Sequence, residues 1–205
     1  MYIPAHFAAP SDDAIYAAME RYSFATLVSG SGSDLVASHL PLLIERSSGP
    51  RGTILGHMAR ANSQWQSAAD TQVLAIFSGP HTYISPSWYE AEKVVPTWNY
   101  VVVHASGLLQ LIDDPAAAEA LLHQTIAKYE ASRPQPWQFQ ESPQFTARLV
   151  EQIVAFRIPI ERLEGKWKLN QNHPAERRNK VAAALEAQED ENSQDIAKLM
   201  RLPSA

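Results

Sequence analysis

Aromatic rings, prolines and small hydroxyls crowd one stretch of this chain. It reads Gly79-Pro80-His81-Thr82-Tyr83-Ile84-Ser85-Pro86-Ser87-Trp88-Tyr89 and resumes at Val95-Pro96-Thr97-Trp98-Asn99-Tyr100. A core segment would be aliphatic and periodic, and a plain loop would not carry Trp88, Tyr89, Trp98 and Tyr100 so close together. Flat rings held by proline-fixed turns, with hydroxyl and amide groups among them, suit a flat ligand with a polar edge.

Two further constellations carry chemistry. In Gly56-His57-Met58-Ala59-Arg60-Ala61-Asn62-Ser63-Gln64-Trp65 a strand runs into a helix, with Arg60, Asn62 and Ser63 at the junction. Helix N-terminal N–H groups and an arginine fork make an anion site; the alternative is an ordinary turn with a surface arginine. In Gly165-Lys166-Trp167-Lys168-Leu169-Asn170-Gln171-Asn172 two lysines bracket a tryptophan. Period-2 spacing puts Lys166 and Lys168 on one face of an extended chain. They read as a phosphate or ring-carbonyl contact, or as a charged turn.

Other chemistries find little support. The histidines, at 6, 39, 57, 81, 104, 123 and 173, form no H-E-x-x-H or H-x-H pattern and read as structural groups. Cysteine is absent, which removes disulfides and thiolate chemistry, and no metal site is expected. Ser85 and Ser87 near His81 lack a Gly-x-Ser-x-Gly elbow. Asp113-Asp114 is accounted for by a helix cap. No catalytic residue is assigned.

These residues need elements to hold them. Ser11 and two aspartates open a helix over 13–22. Strands are expected over 24–29, 34–45, 53–60, 73–78, 97–112 and 154–161, the last half-buried by its alternation. Pro41 marks an edge or bulge in the second and Gly107 a bend in the fifth. Ser63-Gln64-Trp65-Gln66 fits a capping box for a short helix. Asp114-Pro115 opens a helix to 132 and Ser142-Pro143 another to 150. Charged, alanine-rich helices follow over 174–188 and 193–201. Mostly short turns between strands indicate an α+β protein built on an antiparallel sheet or small barrel. No G-x-G-x-x-G or P-loop sequence is present.

At 205 residues and 45% hydrophobic content, one domain, or one domain with an appendage, is expected. The N-terminal residues lack a signal-peptide pattern and no run is apolar enough to cross a bilayer, so a cytoplasmic protein without membrane association is expected. A net charge of -5 argues against a protein that coats nucleic acid. Seven of the 17 Lys+Arg nevertheless fall within 157–180, as a solvated face or a phosphate site.

Five blocks, in order, resemble the PaiB family of FMN-binding negative transcriptional regulators. They are Met1-Tyr2-Ile3-Pro4 with His6-Phe7, the 56–62 segment, 77–89, 95–100 and 165–172. Asn170 departs from the serine expected in the family. The resemblance implies an antiparallel split β-barrel of the FMN-binding type, with a helical insertion and C-terminal helices. It implies a homodimer with FMN at the subunit interface. The barrel would occupy 1–172 and a helical extension, 173–205, would pack on the dimer. Phosphate contacts would come from Arg60, Asn62 and Ser63, beside His57 and Met58. Ring contacts would come from Trp98, Asn99 and the Tyr83–Trp88 loop with Ser85, and Lys166, Lys168 and Gln171 would close the site. Direct DNA binding is possible but not supported by the net charge. The alternatives are an FMN-dependent oxidoreductase of a small molecule and a haem-binding protein on the same barrel; whether the chain is an enzyme stays open, leaning to no.

Overall fold

A computed structural model describes residues 1–139 and 142–202. The chain divides into two compact units. One comprises Ser23–Ile76 and Ala105–Leu163, the other Met1–Tyr22, Phe77–His104 and Glu164–Ala205.

In the first unit, β1 (Phe24–Ser29) pairs antiparallel with β2 (Val36–Pro41) on one side. On its other side lie residues 74–76 of β5 (Gln72–Ile84). The single return strand expected over 34–45 is instead broken. Residues 32–34 form a 3-10 turn, and the chain changes sheets after Pro41. Leu42 is fully buried and its N–H reaches the Ser23 carbonyl at 2.8 Å. The next strand, β3 (Leu43–Glu45), pairs with β4 (Thr53–Ala59). Proline has no N–H to continue the first ladder, so the corner falls there.

The second sheet runs β3-β4-β8-β7, with β8 (Ile153–Pro159) inside and β7 (Gln110–Ile112) at the edge. Because β8 is central, Val154, Ala155 and Phe156 are buried in succession, where alternation predicted a half-buried strand. Leu43, Leu55 and Ala155 on one face pack under α3 (Pro115–Glu130) and α4 (Pro143–Glu151) through Ala118, Leu121 and Val150. The opposite face buries Ile54, Met58, Phe156 and Ile158. Both helices start where their caps predict: Asp114 accepts from the Ala116 N–H and Ser142 from the Phe145 N–H.

The break between β6 (Thr97–Leu108) and β7 falls at Leu109, whose N–H and carbonyl bond to Thr71 and Asp70. β6 runs on through Gly107, where the glycine lets another strand come close. A Cβ there would stand 2.1 Å from the Pro159 carbonyl oxygen.

In the second unit, the C-terminal half of β5, most of β6 and β9 (Arg162–Lys168) are neighbours in the order β5-β6-β9. Residues 79–84, expected in a loop, continue β5. On that stretch α6 (Glu191–Arg201) satisfies the strand: Asn192 accepts from the His81 N–H and Ser193 bonds Thr82. Helices α1 (Asp12–Arg21), α5 (Ala175–Glu186) and α6 bury Met19, Val181, Leu185, Ile196 and Met200. Arg21 pairs with Asp195 at 2.8 Å. The helices of the expected extension therefore pack on their own unit; residues 203–205 lie outside the described residues.

Candidate functional site

The aromatic stretch forms an outward platform on β5 and β6. His81 and Tyr83 alternate onto one face of β5, and Trp98 stands on the adjacent strand. The Tyr83 and Trp98 ring centroids are 6.1 Å apart, edge to face, and those of His81 and Trp98 are 6.2 Å apart. Trp98 is 52% exposed and Tyr83 45%. Large rings in a strand pair are normally covered.

A cation borders this platform. Lys168, the last residue of β9, donates Nζ to the Trp98 carbonyl at 2.8 Å and to Thr97 Oγ1. Burial of the ammonium, and then the charge of Lys166, hold it below the ordinary lysine range. The two lysines do share a face, but Lys166 is buried. Its Nζ donates to the Tyr2 carbonyl at 3.1 Å and sits over the Tyr2 and Tyr100 rings.

Strand alternation separates residues expected together. Asn99 follows Trp98 and faces the opposite side: it is fully buried and its Nδ2 meets Met200 Sδ at 3.5 Å. Its Oδ1 is buried without a partner. His57 and Met58 are likewise on opposite faces of β4. Met58 is core, whereas His57 shares a face with Leu55 and Ala155, toward α3 and α4. The His57 Nδ1 is buried without a partner, and burial holds its pKa below the ordinary histidine value.

The strand-to-helix junction is largely self-satisfied. Arg60 donates Nε to the Glu151 carbonyl and Nη2 to the Ile153 carbonyl, both at 2.7 Å. The expected capping box does not form, because Ser63 is already helical and makes no side-chain cap. Asn62 caps α2 (Gln64–Ala68): its Oδ1 accepts from the Gln64 N–H and its Nδ2 donates to Ser38 Oγ. Five residues of helix carry little dipole, so this terminus is a weak anion site.

Ser85 caps the 3-10 turn of residues 86–89, bonding Ser87 through both N–H and Oγ. Gln171 folds back, donating to the Trp167 carbonyl and accepting from the Leu169 N–H. Of the basic residues of 157–180, Arg157 donates to Gln110, Arg178 reaches the Met200 carbonyl, and Lys180 pairs with Glu90 and Glu176.

Nothing in the sequence pointed to the structural roles of two residues. Gln64 is buried and ties β1 to α2 through the Leu27 carbonyl and Ser29 Oγ. Asn170 is buried at φ 62° and donates Nδ2 to Tyr89 Oη at 3.0 Å. Among the described residues no group of three His, Asp or Glu could hold a metal ion. No helix there is long and apolar enough to cross a membrane.

The arrangement suits a planar group lying on Trp98 and Tyr83 with an electron-rich edge toward Lys168. An isoalloxazine ring has that shape and that edge, so the residues fit a flavin.

Comparison with known proteins agrees. Residues 1–162 match the family model "Putative FMN-binding domain". The chain is 35% identical over 202 residues to "Protease synthase and sporulation protein PAI 2" of Bacillus subtilis, covering 98% of this chain and 96% of that one. An uncharacterized protein of Aspergillus fumigatus is 30% identical over 214 residues, with 82% of each chain covered. Among solved structures, the FAD and heme binding protein from Mycobacterium smegmatis superposes with a TM-score of 0.60 at 12% identity, over 85% of this chain and 78% of that one. The flavocytochrome Anf3 from Azotobacter vinelandii gives 0.59 at 13% identity, over 81% and 72%. At these identities the likeness is one of fold. It fits the expected α+β fold of split-barrel type, with antiparallel sheets that do not close.

Proposed function

This chain belongs to the PaiB-type family of FMN-binding domains, and we propose that it holds FMN with the ring against Trp98 and works as a flavin-responsive regulatory protein. FMN is the cofactor the family supplies, and it brings reversible one- and two-electron chemistry when bound. The observation that carries the ring assignment is the exposed Trp98–Tyr83 pair with Lys168 at its border.

The residues have separate roles in this reading. Trp98 and Tyr83 cover one face of the ring and exclude water from it. Lys168 places positive charge at the ring edge, where electron density collects on reduction. Its anchoring to the Trp98 carbonyl keeps that charge beside the indole.

A homodimer belongs to the same proposal. Exposed Trp98, Tyr83 and Val95 are costly to leave in water, and a two-fold partner would cover them together with the flavin. Regulation is proposed to act through the flavin state rather than through direct DNA contact. The net charge of -5 and the pairing of Lys180 and Arg178 within the protein support this.

Titration of FMN and of riboflavin, followed by quenching of flavin fluorescence, tests the reading. Both should bind, FMN more tightly, with quenching by Trp98 in each case. Unquenched flavin at saturating protein contradicts the ring assignment.

A further inference from the structure

Lys166 is 8% exposed, a depth at which lysine is rare. Its Nζ donates to the Tyr2 carbonyl at 3.1 Å. It lies 5.6 Å from the centroid of the Tyr2 ring and 5.4 Å from that of Tyr100. A carbonyl and two ring faces hold a cation without cancelling its charge. The strap that brings Tyr2 there is fixed along β9. The Met1 ammonium pairs with Glu164 at 2.9 Å, Ala8 bridges Lys166, and the Ala9 N–H donates to the Gly165 carbonyl at 3.1 Å. Gly165 permits this approach, since a Cβ there would stand 2.9 Å from the Ala9 methyl.

Strand alternation puts Glu164, Lys166 and Lys168 on one face of β9. The two lysines are neighbours on that face, about 7 Å apart along the strand. Like charges at that spacing repel, and with Lys166 out of water the repulsion is screened less than at an open surface. Lys168 registers it: burial of its ammonium and then the Lys166 charge hold it below the ordinary lysine range. Other titratable groups surround the pair. The strap contributes the Tyr2 phenol and β6 the Tyr100 phenol. Glu164 is engaged by the Met1 ammonium, and His81 of β5 stands beside the Trp98 ring. The charge that acts on Lys168 is that of Lys166.

We infer that Lys166 is a positioning residue for the flavin platform: caged between Tyr2 and Tyr100, its charge governs whether Lys168 keeps its proton, and so whether the platform presents a cation. The consequence for flavin rests on the ring lying against Trp98 with Lys168 at its edge. The coupling of the two lysines does not rest on it. The N-terminal strap thereby acts on the ligand site without touching the ligand.

The test reads Lys168 directly, in the full chain without flavin, as the pH dependence of its acetylation by acetic anhydride followed by mass spectrometry. Lys166→Met keeps a long side chain and removes the charge. Its Lys168 profile should move to higher pH. The free-amine fraction at any pH below the midpoint should fall about two- to threefold, the weight of one unit charge at this spacing even in water. Lys166→Arg keeps a cation that ring faces accept and should restore the wild-type profile, which a packing role alone would not explain. Tyr2→Ala removes one ring from an exposed position, water then screens Lys166, and the profile should move the same way as in Lys166→Met. FMN titration follows the consequence: the alkaline decline in affinity should move to higher pH in Lys166→Met. An unmoved Lys168 profile in Lys166→Met, or a Lys166→Arg profile that follows it, would overturn the inference. Should Lys166→Met not melt as a folded protein, Tyr2→Ala decides, and an unmoved profile there overturns it. A moved Lys168 profile in a protein whose wild type binds no FMN would instead strike the flavin reading alone.

Discussion

Lys168 Nζ donates to the backbone carbonyl of Trp98 at 2.8 Å, so the last residue of β9 is fastened beside the most exposed ring of β6. The lysine thus has a structural partner and a position from which to meet a ligand lying on the indole. Substituting Lys168→Met should weaken FMN about tenfold, the usual weight of one charge-assisted hydrogen bond. Because burial and Lys166 lower its pKa, the ammonium loses its proton before pH reaches the ordinary lysine value of 10.5. FMN affinity in the wild type should therefore begin to decline below pH 10.5 as the solution is made alkaline, and Lys168→Met should not show that decline. Flavin fluorescence across the alkaline range measures both.

Tyr89 and Asn170 form a buried hydrogen bond at 3.0 Å, with Tyr89 1% and Asn170 2% exposed. Tyr89→Phe leaves the Asn170 amide without its acceptor and should cost about 1–3 kcal/mol in denaturant unfolding. Asn170→Ser should cost a similar amount, because serine is too short for the bond and less at ease at φ 62°. The double variant should cost less than the sum of the two. Additive losses would mean the bond contributes little.

His57 should make the apoprotein sensitive to acid. Its pKa is lowered by burial from 6.5, so the unfolded chain takes up a proton before the folded one does. Stability is complete above 6.5 and falls as pH drops from there toward the folded-state pKa. His57→Leu removes this term and the unpartnered Nδ1, so its melting temperature should fall less on acidification than that of the wild type. Parallel pH profiles for the two proteins would contradict the buried, neutral assignment.

Gly107→Ala should destabilise the unit that holds β8. The new methyl would stand 2.1 Å from the Pro159 carbonyl oxygen, which is backbone and cannot rotate away. The expected loss is about 2 kcal/mol or more, read from denaturant midpoints with an unchanged slope. A wild-type midpoint would show that the two strands separate without cost.

Features set by neighbouring residues were legible in the sequence. Ser11, Asp114-Pro115 and Ser142-Pro143 cap helices where expected, since a cap needs only its own first turn. The platform was legible too, because rings between prolines are rare. Tertiary contacts hid the rest. Pro80 reads as a breaker, yet β5 continues through it, because the β1 register covers only 74–76 and α6 serves the strand beyond. Ser63 matches a capping pattern that Asn62 takes over, since Ser38 across the sheet fixes the Asn62 amide. Trp98 and Asn99 are adjacent in sequence and therefore opposed in a strand, so one block cannot present both to one ligand. The partners of Arg157, Lys166, Arg178 and Lys180, namely Gln110, Tyr2, Met200 and Glu90, include residues distant in the chain and could not be read from local sequence.

The central claim is that FMN lies against Trp98. The direct measurement is the amount of FMN retained after desalting by the wild type and by Trp98→Ala, read from the visible band near ~450 nm of oxidised flavin. The account predicts about one FMN per wild-type chain and a loss of about tenfold or more in affinity for the variant, in line with aromatic hot-spot contacts. A wild type that retains no flavin, or a Trp98→Ala protein that retains as much as the wild type, would contradict it.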